Sequence, residues 1–84
     1  MLNGNEVQMF ISITVETIDG RADIRIDSEQ LIGEGLKVLR ESGKLPDGNP
    51  PDYFRSRLRE KTVSAYMTFA AERVYDGDIL TAIE

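Results

Sequence analysis

Few side chains in this sequence are of the types that commonly carry out chemistry. It contains no histidine and no cysteine, which excludes imidazole acid–base catalysis, thiolate nucleophiles and thiolate-ligated metals. Asp76-Gly77-Asp78 places two carboxylates close together, but it lacks the further ligands and distal glutamate of a calcium loop, so we predict a turn. Gly33-Glu34-Gly35 is a lone Gly-x-Gly within a predicted helix, not a phosphate-binding loop. We therefore predict no catalytic residue, no cofactor and no metal.

A charged binding surface is the strongest functional prediction from residue chemistry. Arg55, Arg57 and Arg59 alternate within Tyr53 to Glu60, which we predict to be a strand. Alternate strand residues lie on one face about 6.6 to 7 Å apart, so the guanidinium groups would concentrate positive charge on an acidic protein. Such a surface suits an acidic helix of a partner protein. The complete candidate site is Tyr53, Arg55, Arg57, Arg59, Lys61, Phe10 and Ile83.

A simpler interpretation of these arginines remains open. They would lie on a solvated sheet face and form cross-strand pairs with Glu16 or Asp23, each worth under about 1 kcal/mol. Binding of single-stranded nucleic acid through arginine and aromatic side chains is disfavoured by the net charge of −5, because such binding requires a surplus of cations. We therefore expect a protein partner and no nucleic acid.

Length and composition predict one small domain. The 84 residues form a single expected domain, 1–84, with residues 1–7 as a flexible N-terminal arm. No apolar run approaches the roughly 20 residues that cross a bilayer, and Met1 to Glu6 lacks the pattern of a signal peptide. We expect a cytoplasmic protein, either free or peripheral to a membrane complex, without direct membrane insertion.

Hydrophobic periodicity predicts that the chain opens with a β-hairpin. Gln8 to Glu16 alternates between apolar and other residues, and the alternation resumes from Ala22 to Ile26, which is the period of strands. Ile18 to Arg21 forms the predicted turn, where Gly20 would supply a positive φ. The apolar face of the first strand comprises Met9, Ile11, Ile13 and Val15.

A helix is predicted next. Asp27 or Ser28 would accept a hydrogen bond from the first turn, and Gln30 would complete a capping box. The spacing of Ile32, Gly35, Leu36 and Leu39 predicts one apolar stripe that ends at Ser42-Gly43. Because glycine costs about 1 kcal/mol in a helix relative to alanine, Gly33 and Gly35 indicate a close approach of the helix to the sheet, the alternative being an easily deformed helix.

The second half of the chain is predicted to add strands to the same sheet. Residues 44–52 contain three prolines and form a loop. Tyr53 to Glu60 would bury Phe54 and Ser56, with Leu58 near its end, and Thr62 to Tyr66 would form a further short strand. A helical turn would pack Phe69 and Val74 on the core. Asp78 to Ile83 is the final strand, with Leu80 and Ala82 inward, and we expect it beside the first strand.

This order of elements predicts an α+β fold, the β-grasp of ubiquitin, with one helix packed across a mixed sheet of four to five strands. Val63 to Phe69 and Val74 to Leu80 resemble the closing segment of the YukD/EsaB family. These are small ubiquitin-like proteins of Gram-positive type VII secretion systems. The sharpest motif is hydrophobe-x-x-Gly-Asp-x-Leu, here Val74 to Leu80. The first strand, the helix and the proline-rich loop also occupy matching places.

The resemblance implies a noncatalytic accessory or regulatory component that acts by contact with other secretion proteins. The sequence ends at Glu84 without a Gly-Gly pair, so we expect no conjugation. It departs from a typical ubiquitin surface, where the third strand exposes aliphatic residues instead of arginines, so binding to ubiquitin receptors is not expected. The alternative is a small ubiquitin-like auxiliary subunit of a multicomponent enzyme, such as a diiron monooxygenase. A sulfur carrier or a conjugated modifier is a third option that the Glu84 ending opposes.

Overall fold

The computed structural model describes residues 9–84; the predicted N-terminal arm, 1–7, lies outside them. The described chain contains five strands and a helix in the order ββαβββ. The strands are β1 Phe10–Thr17, β2 Gly20–Asp27, β3 Tyr53–Ser56, β4 Lys61–Ser64 and β5 Ile79–Ile83, and the helix is α1 Ile32–Glu41. Among these residues, no helix has the length and apolar character needed to cross a membrane.

The five strands form one mixed sheet in the spatial order β2-β1-β5-β3-β4. β1 and β2 form the predicted antiparallel hairpin, and β5 lies parallel to β1, as expected for the last strand. β3 pairs antiparallel with both β5 and β4. The prediction of an α+β fold with a mixed sheet and a helix is therefore confirmed, and the arrangement is compatible with a β-grasp.

Alternation in β1 places one set of side chains in the core. Ile11, Ile13 and Val15 are buried, whereas Met9 remains exposed although it was predicted to share their face. The predicted helix stripe is confirmed, since Ile32, Gly35, Leu36 and Leu39 are all buried. From the second half of the chain, the same core includes Phe54, Val63, Phe69, Val74 and Leu80. The hydrophobic stripe of α1 thus covers one face of the sheet.

The predicted cap of the helix is wrong. α1 begins at Ile32, with Leu31 at the N-cap position and no side-chain hydrogen bond. The Ile32 N–H donates to the Met67 carbonyl at 2.8 Å, and the Gly33 N–H donates to the Ala65 carbonyl at 2.9 Å. The loop after β4 therefore satisfies the orphan amides that a side chain would otherwise cap. Asp27 instead accepts from the Glu29 N–H, in a turn before the helix.

The hairpin turn also differs in its detail from the prediction. Gly20 pairs with Thr17 as the first residue of β2, and it is not among the residues with positive φ. The turn consists of Ile18 and Asp19 alone. The predicted end of the helix is confirmed, because Gly43 follows it with a φ of 80° and its N–H donates to the Arg40 carbonyl.

The third strand is shorter than predicted. It ends at Ser56, and residues 57–60 form a turn that contains Glu60 with a φ of 53°. Leu58 is exposed in that turn and does not join Phe54 in the core. The next strand occupies Lys61–Ser64, not Thr62 to Tyr66, and the last begins at Ile79. The shortening of β3 matters for the site, because it divides the predicted row of arginines.

Candidate protein-binding site

The face of the sheet opposite α1 is exposed or half-buried in the described residues. Strand alternation brings Glu16, Arg21, Arg55 and Thr81 to one level of this face. Tyr53 and Ile83 are the next residues on this face, two positions from Arg55 on β3 and from Thr81 on β5. We call Glu16, Arg21, Tyr53, Arg55, Arg57 and Ile83 the open-face patch.

Tyr53, Arg55 and Ile83 are the predicted site residues that the fold brings together. Tyr53 is directly opposite Ile83, and Arg55 is opposite Thr81 on the same face. Tyr53 is 53% exposed and Ile83 is 46% exposed, so both offer apolar surface to a partner. In the described residues Arg55 forms no ion pair. An uncompensated guanidinium therefore lies beside an exposed aromatic–aliphatic pair.

Arg57 reaches the same face from the turn after β3. Its backbone N–H donates to the Ile79 carbonyl at 3.0 Å, which extends the pairing with β5 by one residue. Its Nη2 lies 3.8 Å from Glu16 Oε1. This pair is one of the cross-strand contacts that the simpler interpretation of the arginines predicted. Such an exposed pair contributes about 0 to 1 kcal/mol.

Arg59 and Lys61 do not continue the predicted row. The Arg59 guanidinium lies 5.7 Å from the centre of the Tyr75 ring, a cation–π distance. Lys61 is directly opposite the buried Ser56, which places it on the helix side of the sheet, and its Nζ is 3.8 Å from Glu72 Oε1. The prediction that all four cations share one face is therefore wrong, because the chain leaves the strand conformation after Ser56.

Phe10 lies on the open face but far from Tyr53 and Ile83. It is opposite Asp27 at the start of β1, and the Arg25 guanidinium is 5.8 Å from the centre of its ring. The parallel register aligns Glu16 with Thr81, so Ile83 is level with the far end of β1, about 25 Å from Phe10 at the usual rise per residue. Phe10 is not part of the same contact area.

Glu16 accepts the ion pairs and a hydrogen bond within the patch, although the sequence predicts it only as a possible pairing partner of the arginines. Arg21 Nη1 lies 3.2 Å from Glu16 Oε2 on one side. On the other side the Thr81 hydroxyl donates to Glu16 Oε1 at 3.0 Å, beside Arg57. Two arginines, Arg21 and Arg57, thus pair with one carboxylate. With Arg55 on the same face, the patch contains three arginines and one glutamate, a net charge of +2, although the chain carries −5. Arg21 is not among the predicted site residues, because it belongs to the β1–β2 hairpin and only the fold brings it to the same level of the sheet as Arg55.

A buried carboxylate positions the turn that carries Arg57. Asp78 is 1% exposed. Its Oδ1 accepts hydrogen bonds from the Leu58 and Ile79 N–H groups at 3.0 and 2.7 Å, and its Oδ2 accepts one from the Ser56 hydroxyl. Ser56 Oγ in turn accepts from the Arg59 N–H at 3.2 Å. These bonds link the turn to the first residue of β5.

The other residues that were considered for chemistry have structural contacts. Asp76 Oδ1 accepts from the Ser12 N–H at 2.6 Å, and Gly77 has a φ of 87°, as expected for a turn. Within residues 9–84, no group of three or more acidic side chains could hold a metal ion. A hydrogen bond from the Tyr66 hydroxyl to Asp52, at 2.7 Å, and the charge of that carboxylate raise the pKa of Tyr66. That phenol therefore stays neutral at physiological pH.

Comparison with known proteins adds no assignment to this geometry. No protein-family model matches the chain, and no curated protein matches it.

Proposed function

We propose that this chain is a noncatalytic ubiquitin-like module with a β-grasp fold that acts through noncovalent contacts with another protein. Within that class, we propose that it is an accessory or regulatory component of a bacterial type VII secretion system, in the cytoplasm or at the cytoplasmic side of its membrane complex. The closing segment from Val63 to Leu80 supports this family, through its resemblance to YukD and EsaB. The position of β5 between β1 and β3, parallel to β1, supports the β-grasp.

The observation that carries the binding proposal is the exposed Arg55 beside Tyr53 and Ile83. Interfaces are enriched in arginine and tyrosine, which supply charge and rigid apolar area at a low entropic cost. Tyr53 and Arg55 on β3 and Ile83 on β5 lie on two paired strands, so the backbone ladder fixes their relative positions. Its net charge favours a partner surface with carboxylates.

The geometry favours an amphipathic acidic helix as the partner element. Such a helix would place an apolar residue against Tyr53 and Ile83. A carboxylate one turn away, about 5 to 6 Å along the helix, would then face Arg55. The neighbouring Arg57 and Arg21 are already paired with Glu16 and would contribute mainly to long-range attraction.

Affinity capture from the native lysate, with mass spectrometry of the retained proteins, tests this proposal. Wild type is compared with Arg55→Glu, and Lys44→Glu is the matched control, since Lys44 is exposed in the loop after α1 and undergoes the same change of charge. We expect wild type and Lys44→Glu to retain the same secretion-machinery subunits, and Arg55→Glu to lose at least about 90% of them, as removal of a central interface arginine often costs more than 1.4 kcal/mol.

Two outcomes would contradict the proposal, each in a different part. Equal retention by Arg55→Glu and wild type would mean that the open-face patch is not the contact surface. Specific retention of a large oxygenase by wild type would support the auxiliary-subunit alternative and overturn the secretion assignment. Circular dichroism of the three proteins distinguishes loss of contact from loss of fold.

A further inference from the structure

β2 is an edge strand of the sheet, and half of its backbone groups have no partner strand in the described residues. The Ser28 N–H donates to the Met9 carbonyl at 2.7 Å, so this pair continues the β1–β2 register as a hydrogen-bonded pair. Hydrogen-bonded pairs alternate in an antiparallel ladder. Arg21, Asp23 and Arg25 therefore direct their N–H and C=O groups away from β1, toward the open edge.

The opposite edge of the sheet, β4, is protected, whereas the edge formed by β2 is not. β4 has four residues, and the outward N–H of Ser64 donates to the Glu72 carboxylate at 2.8 Å. β2 has eight residues, and among residues 9–84 no strand pairs with its outer side. Long unprotected edges favour pairing with another strand.

The residues of β2 are complementary to themselves in the antiparallel direction. The segment from Arg21 to Asp27 has a charge pattern that is antisymmetric about Ile24. When the segment is reversed, an aspartate stands where each arginine was, and an arginine where each aspartate was. From this pattern we infer that β2 pairs with β2 of a second copy of this chain. The resulting dimer has a continuous sheet of ten strands and a two-fold axis at Ile24.

At the centre of the contact, the pairing satisfies both the backbone groups and the charges. With Ile24 opposite its own symmetry mate, Asp23 is opposite Arg25 of the second copy, and Arg21 is opposite Asp27. Asp23 and Arg25 are outward-directed residues, which matches the parity of the free backbone groups. In the outer pair the Asp27 carbonyl already accepts from the Gln30 N–H at 3.0 Å and Arg21 is already paired with Glu16, so this pair adds mainly charge attraction. Each opposite-charge pair occurs twice by symmetry, and all four lie on the open face. On the helix face, the half-buried Ala22 and Ile24 gain apolar neighbours.

The charges also select the register. Sliding the second copy by one hydrogen-bonding step in one direction places Asp23 opposite Asp23 and Arg21 opposite Arg25. The other direction places Arg25 opposite Arg25. Like charges directly opposite one another destabilise a sheet. In the described residues Asp23 and Arg25 form no ion pair within their own chain; they contact the hydroxyls of Thr14 and Ser12.

An edge contact of this length buries a small area and exposes its ion pairs to solvent. We therefore expect a concentration-dependent equilibrium between monomer and dimer that weakens as salt rises. The two-fold axis is perpendicular to the sheet, so both open-face patches lie on the same side of the dimer. The inference is independent of the proposed partner, because it concerns the purified chain alone.

Sedimentation velocity of the full chain at low ionic strength, over a range of concentrations, tests the inference. Wild type should dimerise, whereas Arg25→Asp and Asp23→Arg should each raise the dimer dissociation constant by at least about tenfold, because each variant opposes like charges twice. An equimolar mixture of the two variants should form a heterodimer, since two aspartates then face two arginines. Lys44→Asp and Asp47→Arg, exposed loop residues with the same changes of charge, should dimerise like wild type.

Hydrogen exchange gives a second readout that does not depend on substitution. The amide protons of Asp23 and Arg25 should exchange more slowly as the wild-type concentration rises, because they become bonded in the dimer. A wild type that stays monomeric at millimolar concentration and low salt would overturn the inference. A dimer that the single variants do not weaken, or variants that do not recover on mixing, would also overturn it.

Discussion

At the scale of single residues, the buried Asp78 has a structural role that reaches the binding face. A buried carboxylate must be paired or fully hydrogen-bonded to be tolerated. Asp78 accepts from two backbone N–H groups and from the Ser56 hydroxyl. It thereby ties the 57–60 turn to β5 and determines where Arg57 projects, so a residue without exposed surface shapes the binding face.

We expect Asp78→Ala to lower the free energy of unfolding by about 3 kcal/mol, because it leaves the Leu58 N–H and the Ser56 hydroxyl without their acceptor. Asp76→Ala is the matched control, since that carboxylate is exposed and, within residues 9–84, accepts only from the Ser12 N–H; its cost should stay near 1 kcal/mol or below. Urea denaturation followed by circular dichroism measures both. Equal costs for the two variants would contradict this role of Asp78.

At the scale of elements, α1 is positioned by close contact with the segment that follows β4. A Cβ at Gly35 would lie 3.2 Å from Phe69 Cζ, and one at Gly33 would lie 3.1 Å from the Ala65 carbonyl oxygen. The close packing predicted at these glycines is confirmed, but its closest partner is not the predicted sheet. The contact is with residues 65–69, which also accept hydrogen bonds from the first amides of the helix.

Gly35→Ala should therefore destabilise the protein, although alanine is the better helix former. Propensity favours alanine by about 1 kcal/mol, but Phe69 is fully buried and cannot move away without disturbing the core. We expect a net loss of about 1 to 2 kcal/mol in the free energy of unfolding, measured by thermal or urea denaturation. Lys37→Ala, on the exposed side of α1, should change stability by less than about 0.5 kcal/mol. A more stable Gly35→Ala variant would refute the close-packing argument.

At the scale of the whole molecule, β5 joins two hairpins that do not otherwise pair in the part of the chain that the structure describes. It lies between β1 of the first hairpin and β3 of the second, within the described sheet. Leu80, opposite Val15 and Ser56, is 1% exposed at this junction. The last strand in the sequence therefore makes one cooperative sheet from two local units.

We expect Leu80→Ala to lower the free energy of unfolding by about 3 kcal/mol, as is typical of a buried leucine that leaves a cavity. Because β5 links both hairpins, unfolding monitored by tyrosine fluorescence and by far-ultraviolet circular dichroism should still coincide. Ile83→Ala, at the exposed end of the same strand, should cost under about 1 kcal/mol. Separate transitions for the two probes would show that the hairpins unfold independently.

Periodicity was sufficient to predict the parts of the fold that short-range patterns encode. The alternation in β1 and β2 identified the hairpin and its buried face, and the helical spacing of Ile32, Leu36 and Leu39 identified the buried stripe of α1. Such patterns are readable because a strand repeats every two residues and a helix every 3.6. The sequence also grouped Tyr53, Arg55 and Ile83, which the pairing of β3 with β5 brings together, whereas Phe10 from the same predicted group lies at the other end of β1.

The tertiary structure decided the features that depend on distant hydrogen bonds. α1 starts at Ile32 because Ala65 and Met67 supply acceptors from more than 30 residues away, and no local pattern reveals them. β3 stops at Ser56 because Asp78, 22 residues later, holds the following turn. That turn separates Arg59 and Lys61 from Arg55. Alternation specifies the face of a side chain only while the chain remains a strand, and a buried carboxylate elsewhere in the sequence determined where this strand ends.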